Sequence, residues 1–439
     1  LEVIDEFPIP GKTLQTAAQA DADIDKLDSE SGVELANAGL GMAVQYLTAL
    51  SGIYYLLDDS NTLFVGGADS ILSYGDVDPT DPNSAIEFKG EWVKPPGVTG
   101  GFVGANLTYD GKICMVSDEG WVVVVDRDLG ANNYSAIQLE TYGVDPGQHN
   151  ADMIAAGFRP GAASWVRNSA AIDKDGGIYV PSFEHMHKVV WDGTTLSKDP
   201  LDGAWVAPYS NSLGKGSGST PSLMGFGPNE PHFVVLTDGD TQMNLELFWR
   251  DEIPDGWVPP PSALSDRTAG KAPVTIGGTK TEIQTEQSVV VGGFNAFVVN
   301  NEPASVPPGY PAAATTVLVG FAGADPEFTP RGVEMFTWNF GNNTLQPKWA
   351  NTFVSSVNSV PVYSLGNGAI YTVGARNGDW TLEAINAESG LSKFHHITGS
   401  NRYNSLFSGL FLDQEGRVIH TTAFGILRYE RLPPAPPSP

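Results

Sequence analysis

The sequence predicts an all-β protein, a single β-propeller of seven four-stranded blades, and three observations predict it. The first is a recurring unit of three short strands and tight turns, clearest at 168–191, NSAAIDKDGGIYVPSFEHMHKVVW. There 169–172 is a small, apolar run, Lys174-Asp175-Gly176-Gly177 supplies the positive-φ positions of a hairpin turn, Ile178-Tyr179-Val180 alternates as a second strand, and Val189-Val190-Trp191 begins a third. The second is spacing. Seven such units can be read, one within 50–78 and others opening at Asn106, Asn168, Thr220, Gln287, Asn358 and Asn404, roughly 50–75 residues apart, against about 40–50 for a blade before loop insertions. The third is composition: 50 Gly and 32 Pro punctuate a chain that is 41% hydrophobic, a turn-rich sequence able to bury a large core. Length alone suggests two or three domains, but the even spacing argues for one ring over 1–432. An eight-bladed ring is the alternative, with a diverged strand set inside 255–280.

Residues 1–8 begin with the alternating run Leu1-Glu2-Val3-Ile4-Asp5-Glu6-Phe7, which suits one strand. The last unit supplies only three strands before the prolines, so 1–8 is expected to complete the last blade and close the ring, removing its free edges. Residues 13–39, rich in Ala, Asp, Gln and Ser, are expected to form short helices or an irregular cover. Asp21-x-Asp23-x-Asp25 starts like a calcium loop, yet Lys26 stands where that loop needs glycine and Gly32 where it needs the closing glutamate. The stretch reads as a solvated turn. Long connections at 142–164, 255–280 and 302–331 are candidate binding loops. The tail 433–439, Pro-Pro-Ala-Pro-Pro-Ser-Pro, cannot enter a sheet and suits extended polyproline II.

With 24 basic against 51 acidic residues the chain carries a net charge of −27, which repels nucleic acid and anionic lipid. No apolar run is long enough to insert in a membrane. The lone Cys114, within Ile113-Cys114-Met115-Val116, excludes an internal disulfide and a thiolate metal cluster. A start at Leu1 fits removal of a targeting peptide, and the expected location is secreted, extracellular. Sequons at Asn106, Asn133 and Asn342 permit glycosylation, Asn106 being the poorest acceptor because it lies in an inner strand.

In a propeller, the loops joining second to third strands share one face with the loops joining blades. Candidates on that loop face are Asp118, Glu119, Glu184, His185, His187, Asp238, Asp240, the 302–331 insertion, Arg376, Asn377 and Asp379. His185-x-His187 reads as a turn; in a strand, both imidazoles would point to one side and could share a metal, given a third ligand from another blade. Asp238-Gly239-Asp240 is first a hairpin signal and second a weak calcium candidate with Asn244. The pairs Asn168-Ser169, Gln287-Ser288, Asn358-Ser359 and Asn404-Ser405 are expected to satisfy backbone groups between blades. No G-x-S-x-G, H-E-x-x-H or P-loop occurs. Binding candidates are Asp238, Asp240, Arg376 and Asp379; for an enzyme, Glu184, His185, His187 and Asp238 are the catalytic candidates.

The run 381–394, TLEAINAESGLSKF, resembles the L-x-A-x-D-x-x-T-G-K-x-x-W unit of pyrroloquinoline-quinone-like propeller repeats, with Asn386 for Asp, Ser389 for Thr and Phe394 for Trp. Residues 166–179 and GSTPSLMG at 218–225, followed by Leu236-Thr237-Asp238-Gly239-Asp240 and Met243-Asn244, are similar to secreted proteins with that fold. From about residue 97 onward the chain resembles the PQQ-like (quinoprotein alcohol dehydrogenase-like) β-propeller superfamily. The resemblance implies the fold. Dehydrogenases of that superfamily carry a vicinal cysteine pair, a tryptophan platform and a calcium site; the lone Cys114 excludes the pair, and the quinone is not carried over. The expected function is a secreted, non-catalytic propeller, a binding or structural module of an extracellular or cell-surface assembly, with itself in filaments or a glycan as partner. The alternative is an extracellular lyase, hydrolase or oxidoreductase acting on a carbohydrate or small metabolite at the loop face.

Overall fold

Seven antiparallel sheets follow one another along the chain in the computed structural model, which describes residues 5–8, 15–46, 54–143, 148, 151, 165–278 and 280–430. Their inner strands are Tyr55–Leu57, Phe102–Leu107, Ala171–Ile172, Ser222–Met224, Val290–Gly292, Val362–Ser364 and Leu410–Leu412. Each sheet runs outward from its inner strand in sequence order, so each repeat is one blade of a seven-bladed propeller. Blades 1, 2, 4, 5 and 6 have four strands. In blade 3 the outer position is shared by Leu196–Ser197 and Trp205–Pro208, both paired with His185–Trp191.

Turn chemistry sets the hairpins. At the first turn of blade 3, Gly176 has φ of 87°, and a Cβ there would lie 2.1 Å from the Trp191 carbonyl oxygen, so this position needs glycine. Side chains of alternate strand residues then pack between neighbouring sheets. Separate apolar cores join blades 1 and 2 through Phe64, Trp92 and Phe102, 2 and 3 through Val122, Ile178 and Trp191, and 3 and 4 through Tyr179, Trp205 and Phe248. Others join 4 and 5 through Phe233, Trp249 and Trp338, 5 and 6 through Phe297, Met335 and Ile385, and 6 and 7 through Trp380, Leu382 and Leu410.

The inner ends are held by side-chain amides. Asn168 Nδ2 donates to the Ser217 carbonyl at 3.0 Å, Gln287 Nε2 to the Ser356 carbonyl at 3.1 Å, and Asn358 Nδ2 to Asn404 Oδ1 at 2.7 Å. The first two bonds tie a side chain to backbone between blades, and the third ties side chain to side chain.

Blade 7 has three strands, Leu410–Leu412, Val418–Thr422 and Gly425–Tyr429. The fourth strand expected from 1–8 is not formed by residues 5–8. Asp5 Oδ2 instead accepts the Ile86 amide of blade 1 at 2.8 Å, and the Phe7 ring lies 5.5 Å from that of Tyr74. Residues 1–4, and the tail 433–439, lie outside the described residues.

Helices form the cover expected over 13–39. Helix α1 spans Ala17–Ser29 and α2 spans Gly32–Tyr46. The start of α1 is a capping box, Thr16 accepting from the Gln19 amide while Gln19 bonds back, so Asp21, Asp23 and Asp25 stand on a helix and not in a turn. A third helix, α3, Thr315–Ala322, lies in the 302–331 insertion between the second and third strands of blade 5. Leu27, Leu35 and Met42 of the pair α1–α2 pack on Leu318 and Phe321 of α3. The 255–280 stretch, read as irregular, contributes the outer strand of blade 4, Thr268–Pro273, so no eighth blade lies there.

Candidate functional site

The insertion puts α3 on the loop face, at the inner ends of blades 6 and 7, where the Gly320 carbonyl accepts from Asn358 Nδ2 at 2.9 Å and Asn404 Nδ2 at 2.7 Å. A helix carbonyl can take these bonds because the last four of a helix lack partners within it. Beside α3 opens a cavity of about 250 Å³, whose lining includes Arg167, Lys215, Gln284, Glu286, Asn301 and Glu302 and, among its other residues, Thr315, Thr316 and Val319 of α3 and Phe407.

The polar walls are preset. Arg167 donates to Glu286 Oε2 at 3.0 Å and to the Lys215 carbonyl at 2.9 Å. Asn301 Oδ1 accepts the Glu286 amide at 2.9 Å while its Nδ2 donates to the Val357 carbonyl at 2.8 Å, locking its amide. Burial raises the Glu302 carboxyl above its ordinary range against the pull of Lys215. Near Arg167 and Glu286, the Tyr54 hydroxyl meets Thr220 Oγ1 at 3.2 Å. The cavity thus offers cationic, anionic and amide groups on fixed supports beside an apolar wall, a pattern suited to orienting a small polar molecule.

Apart from the 302–331 insertion, the residues singled out by sequence do not line this cavity. His185 and His187 stand on the third strand of blade 3, not in a turn, because five consecutive residue pairs match it to Gly177–Pro181. Their rings lie 6.2 Å apart, with Tyr142 stacked on His185 at 4.7 Å. His187 is buried, its Nε2 2.8 Å from Ser182 Oγ, and burial pushes its imidazole down to about 3. Among the described residues no group of three or more His, Cys, Asp or Glu is placed to hold a metal. Glu184 lies in the adjoining turn, its carbonyl accepting the Tyr209 amide at 2.9 Å.

Asp238 is buried, and its carboxylate is spoken for: Asn244 donates its amide at 2.7 Å and its Nδ2 at 2.6 Å, and the Lys271 ammonium lies 3.1 Å away. Lys271 also bonds Glu246 and the Ser210 hydroxyl. Asp240 caps the Ser212 amide at 3.0 Å. Asp238 and Asp240, the weak calcium candidates, share the Asn244 Nδ2 amide, at 2.6 and 3.4 Å, while the Lys271 ammonium lies between Asp238 and Glu246. Arg376 makes a two-pronged pair with Glu383, both bonds 2.8 Å, and Asp379 pairs with Arg376 across a turn carried by Asn377 and Gly378 at positive φ. Asp118 accepts the Gly101 amide at 2.9 Å, and burial raises its carboxyl to about 6; Glu119 follows it in the turn. Of the sequons, Asn133 and Asn342 lie on exposed turns, whereas Asn106 Nδ2 donates to Ser169 Oγ and the Ala170 carbonyl between blades.

One consequence is a pH dependence of stability. Burial pushes the Glu246 carboxyl up to about 7 despite Lys271, and Glu246 Oε2 has no hydrogen-bond partner. A carboxyl whose folded pKa lies above its unfolded value binds its proton more tightly when folded. Its stabilising contribution is present below about 4.5 and is lost as pH rises through about 7; Asp118 has the same sign. Between pH 7.5 and 5.5 the Glu246 part of this linkage is expected to be worth on the order of 1 kcal/mol, and His187, whose imidazole burial holds down at about 3, works against it over the same window. Glu246→Gln should remove the Glu246 part of the pH dependence in a series of denaturant titrations, and an equal slope in both proteins would refute the assignment.

Fold and site together define a seven-bladed propeller whose loop face carries a helix-walled polar cavity. The chain belongs to the same family as a protein of Archaeoglobus fulgidus, named there as uncharacterized, with which it is 34% identical over 396 residues, covering 86% of this chain and 70% of the relative. No protein-family model matches the chain. Similar solved structures include BamB from Moraxella catarrhalis, with a TM-score of 0.49 and 11% identity over 87% of this chain and 84% of that one. They also include quinohemoprotein alcohol dehydrogenase from Comamonas testosteroni, with a TM-score of 0.48 and 13% identity over 86% and 64%. The likeness is one of fold alone. The one cysteine of the sequence, Cys114, is buried in blade 2, and burial pushes its thiol up to about 12.

Arg167, Lys215, Gln284, Glu286 and Tyr54 were not among the sequence candidates. They sit in links between blades or at strand starts, where no period or motif marks them. Glu302, Thr315, Thr316 and Val319 fell within a stretch that was, the 302–331 insertion.

Proposed function

We propose that the chain is a non-catalytic binding module whose ligand docks in the cavity beside α3, acting outside the cell as part of a surface or extracellular assembly. The observation that carries this reading is the contrast between two kinds of site. The cavity presents fixed polar groups to solvent, whereas His187 and Asp238, two of the candidates for chemistry, are consumed internally. Ser182 and His187 touch, but they are 3% and 2% exposed, shut off from any substrate; Asp238 is tied to Lys271 and Asn244. The size of the cavity suits one sugar or a similar small molecule, whose hydroxyls match carboxylate and amide partners and whose apolar face matches Phe407. The acidic surface and the resemblance to secreted propellers support the extracellular setting.

A panel of mono- and disaccharides screened by thermal shift tests this. At least one sugar is expected to raise the melting temperature in a saturable way. Arg167→Ala should abolish the effect while lowering the basal stability by no more than about 1 kcal/mol, since the Arg167–Glu286 pair is partly exposed. A panel without hits, joined to single dispersed rings in electron micrographs, would defeat the reading. Turnover of a panel member would move the chain to the enzyme class.

A further inference from the structure

Eight non-glycine residues among those described have positive φ, and two of them are consecutive: Leu406, at 45°, and Phe407, at 66°. They are the central residues of a turn closed by the Ser408 amide on the Ser405 carbonyl at 3.0 Å. A turn with positive φ at both central positions is one that Asn-Gly makes at little cost, because glycine has no Cβ and asparagine tolerates the left-handed region. Leucine and phenylalanine are strained there.

The surroundings impose this conformation. Asn404 Oδ1 accepts the Leu406 amide at 3.0 Å and Asn358 Nδ2 at 2.7 Å, the Asn358 carbonyl accepts the Phe407 amide, and Ser405 Oγ donates to Asn358 Oδ1 at 2.8 Å. Asn358, Asn404 and Ser405 are each at most 1% exposed, so the network is sheltered from water. It holds backbone, and it would hold an Asn-Gly turn equally well. Nothing in it calls for an aromatic ring at 407.

Each side chain therefore needs its own reason. Leu406 packs on the helical cover with Leu318, Phe321 and Phe328. Phe407 packs in part on the core of blades 6 and 7, and it also lines the cavity that holds Arg167, Glu286 and Asn301. Among the described residues it is the one aromatic side chain in that lining. Its ring lies against α3 at Gly320, where a Cβ would stand 3.4 Å from Phe407 Cε2. Strain that the surroundings over-determine gathers at ligand clamps. A fixed aromatic face beside preset polar groups suits a ring with hydroxyls at its edge and C–H groups on its face.

We propose that the strained turn 405–408 presents Phe407 to the cavity as its specificity-determining residue, which selects a cyclic sugar, a pyranose, over an open-chain polyol with the same hydroxyls. This rests on the reading of the cavity as a sugar site and adds what discriminates there. Arg167, Glu286 and Asn301 can engage the hydroxyls of either molecule; only the ring offers phenylalanine a flat apolar face.

The test uses the full chain as wild type, Phe407→Leu and Phe407→Gly, each shown to be folded by circular dichroism. The probes, in thermal-shift titrations, are D-glucose, D-galactose and D-mannose with their alditols sorbitol, galactitol and mannitol. Wild type is expected to bind at least one of the three sugars, and to bind its alditol roughly tenfold more weakly. Phe407→Leu should weaken that sugar by a similar factor and leave the alditol unchanged. The strain has its own readout: Phe407→Gly removes more apolar surface than Phe407→Leu yet should melt no lower, because glycine adopts a φ of 66° freely. Glycine melting well below leucine would overturn the proposal, by making the ring a packing residue. Equal affinity for sugar and alditol, or equal affinity of wild type and Phe407→Leu for the sugar, would overturn it while leaving the cavity a sugar site. Binding of none of the six compounds would overturn it too, and the wider panel then decides whether the cavity reading falls with it.

Discussion

Replacing Phe233 by alanine is expected to destabilise the protein by about 3–5 kcal/mol, the range for truncating a buried phenylalanine. Phe233 is fully buried between blades 4 and 5, its ring 4.6 Å from Trp338 of blade 5 and 5.0 Å from Trp249. Trp249 in turn meets Trp257 edge-on at 5.1 Å. The backbone of three strands fixes the rings of Phe233, Trp249 and Trp338, so the void cannot collapse, and lost transfer and lost dispersion add. Denaturant midpoints measure the effect, with Leu201→Ala, at an exposed turn, as the control. A shift no larger than that of the control would mean that the ring does not hold itself together through its inter-blade cores.

Lys271→Met is expected to cost a similar amount, about 3–5 kcal/mol at pH 7.5, for an electrostatic reason. The side chain of Lys271 is almost fully buried, and its ammonium compensates both Asp238 and Glu246. Methionine fills much of the same volume and leaves two carboxylates without their counter-charge. Each must then ionise against its desolvation or take up a proton. Both folded pKa values rise further, so the deficit should shrink as pH falls toward 5.5. Adding Glu246→Gln to Lys271→Met should recover part of the loss. A midpoint equal to wild type at pH 7.5 would show that the ammonium is not the compensating charge.

The repeat was legible because it is local. Each blade is written within a few dozen residues by strands that alternate and by turns such as Asp175-Gly176, and local rules suffice to count seven. The helical cover over 13–39 was legible in composition alone, and the capping box at Thr16 and Gln19 was a signal present but unread. The turn assigned to His185 and His187 failed because pairing with Gly177–Pro181 overrides the preference of two polar histidines for a loop. The hairpin residues Asp238 and Asp240 were legible as a turn, but not the counter-charge of Asp238, because Lys271, on the outer strand, is brought to it across the sheet.

What the sequence alone determined is therefore the blade: its strands, its hairpins, the number of its copies and the charge of its surface. Tertiary structure alone decided what happens between blades. Arg167 and Glu286 are 119 residues apart and meet at the cavity; Lys271 and Glu246 are 25 apart and meet in the interior. Such contacts are set by ring geometry and long-range packing, and no period, turn or motif along the chain encodes which side chains they will bring together.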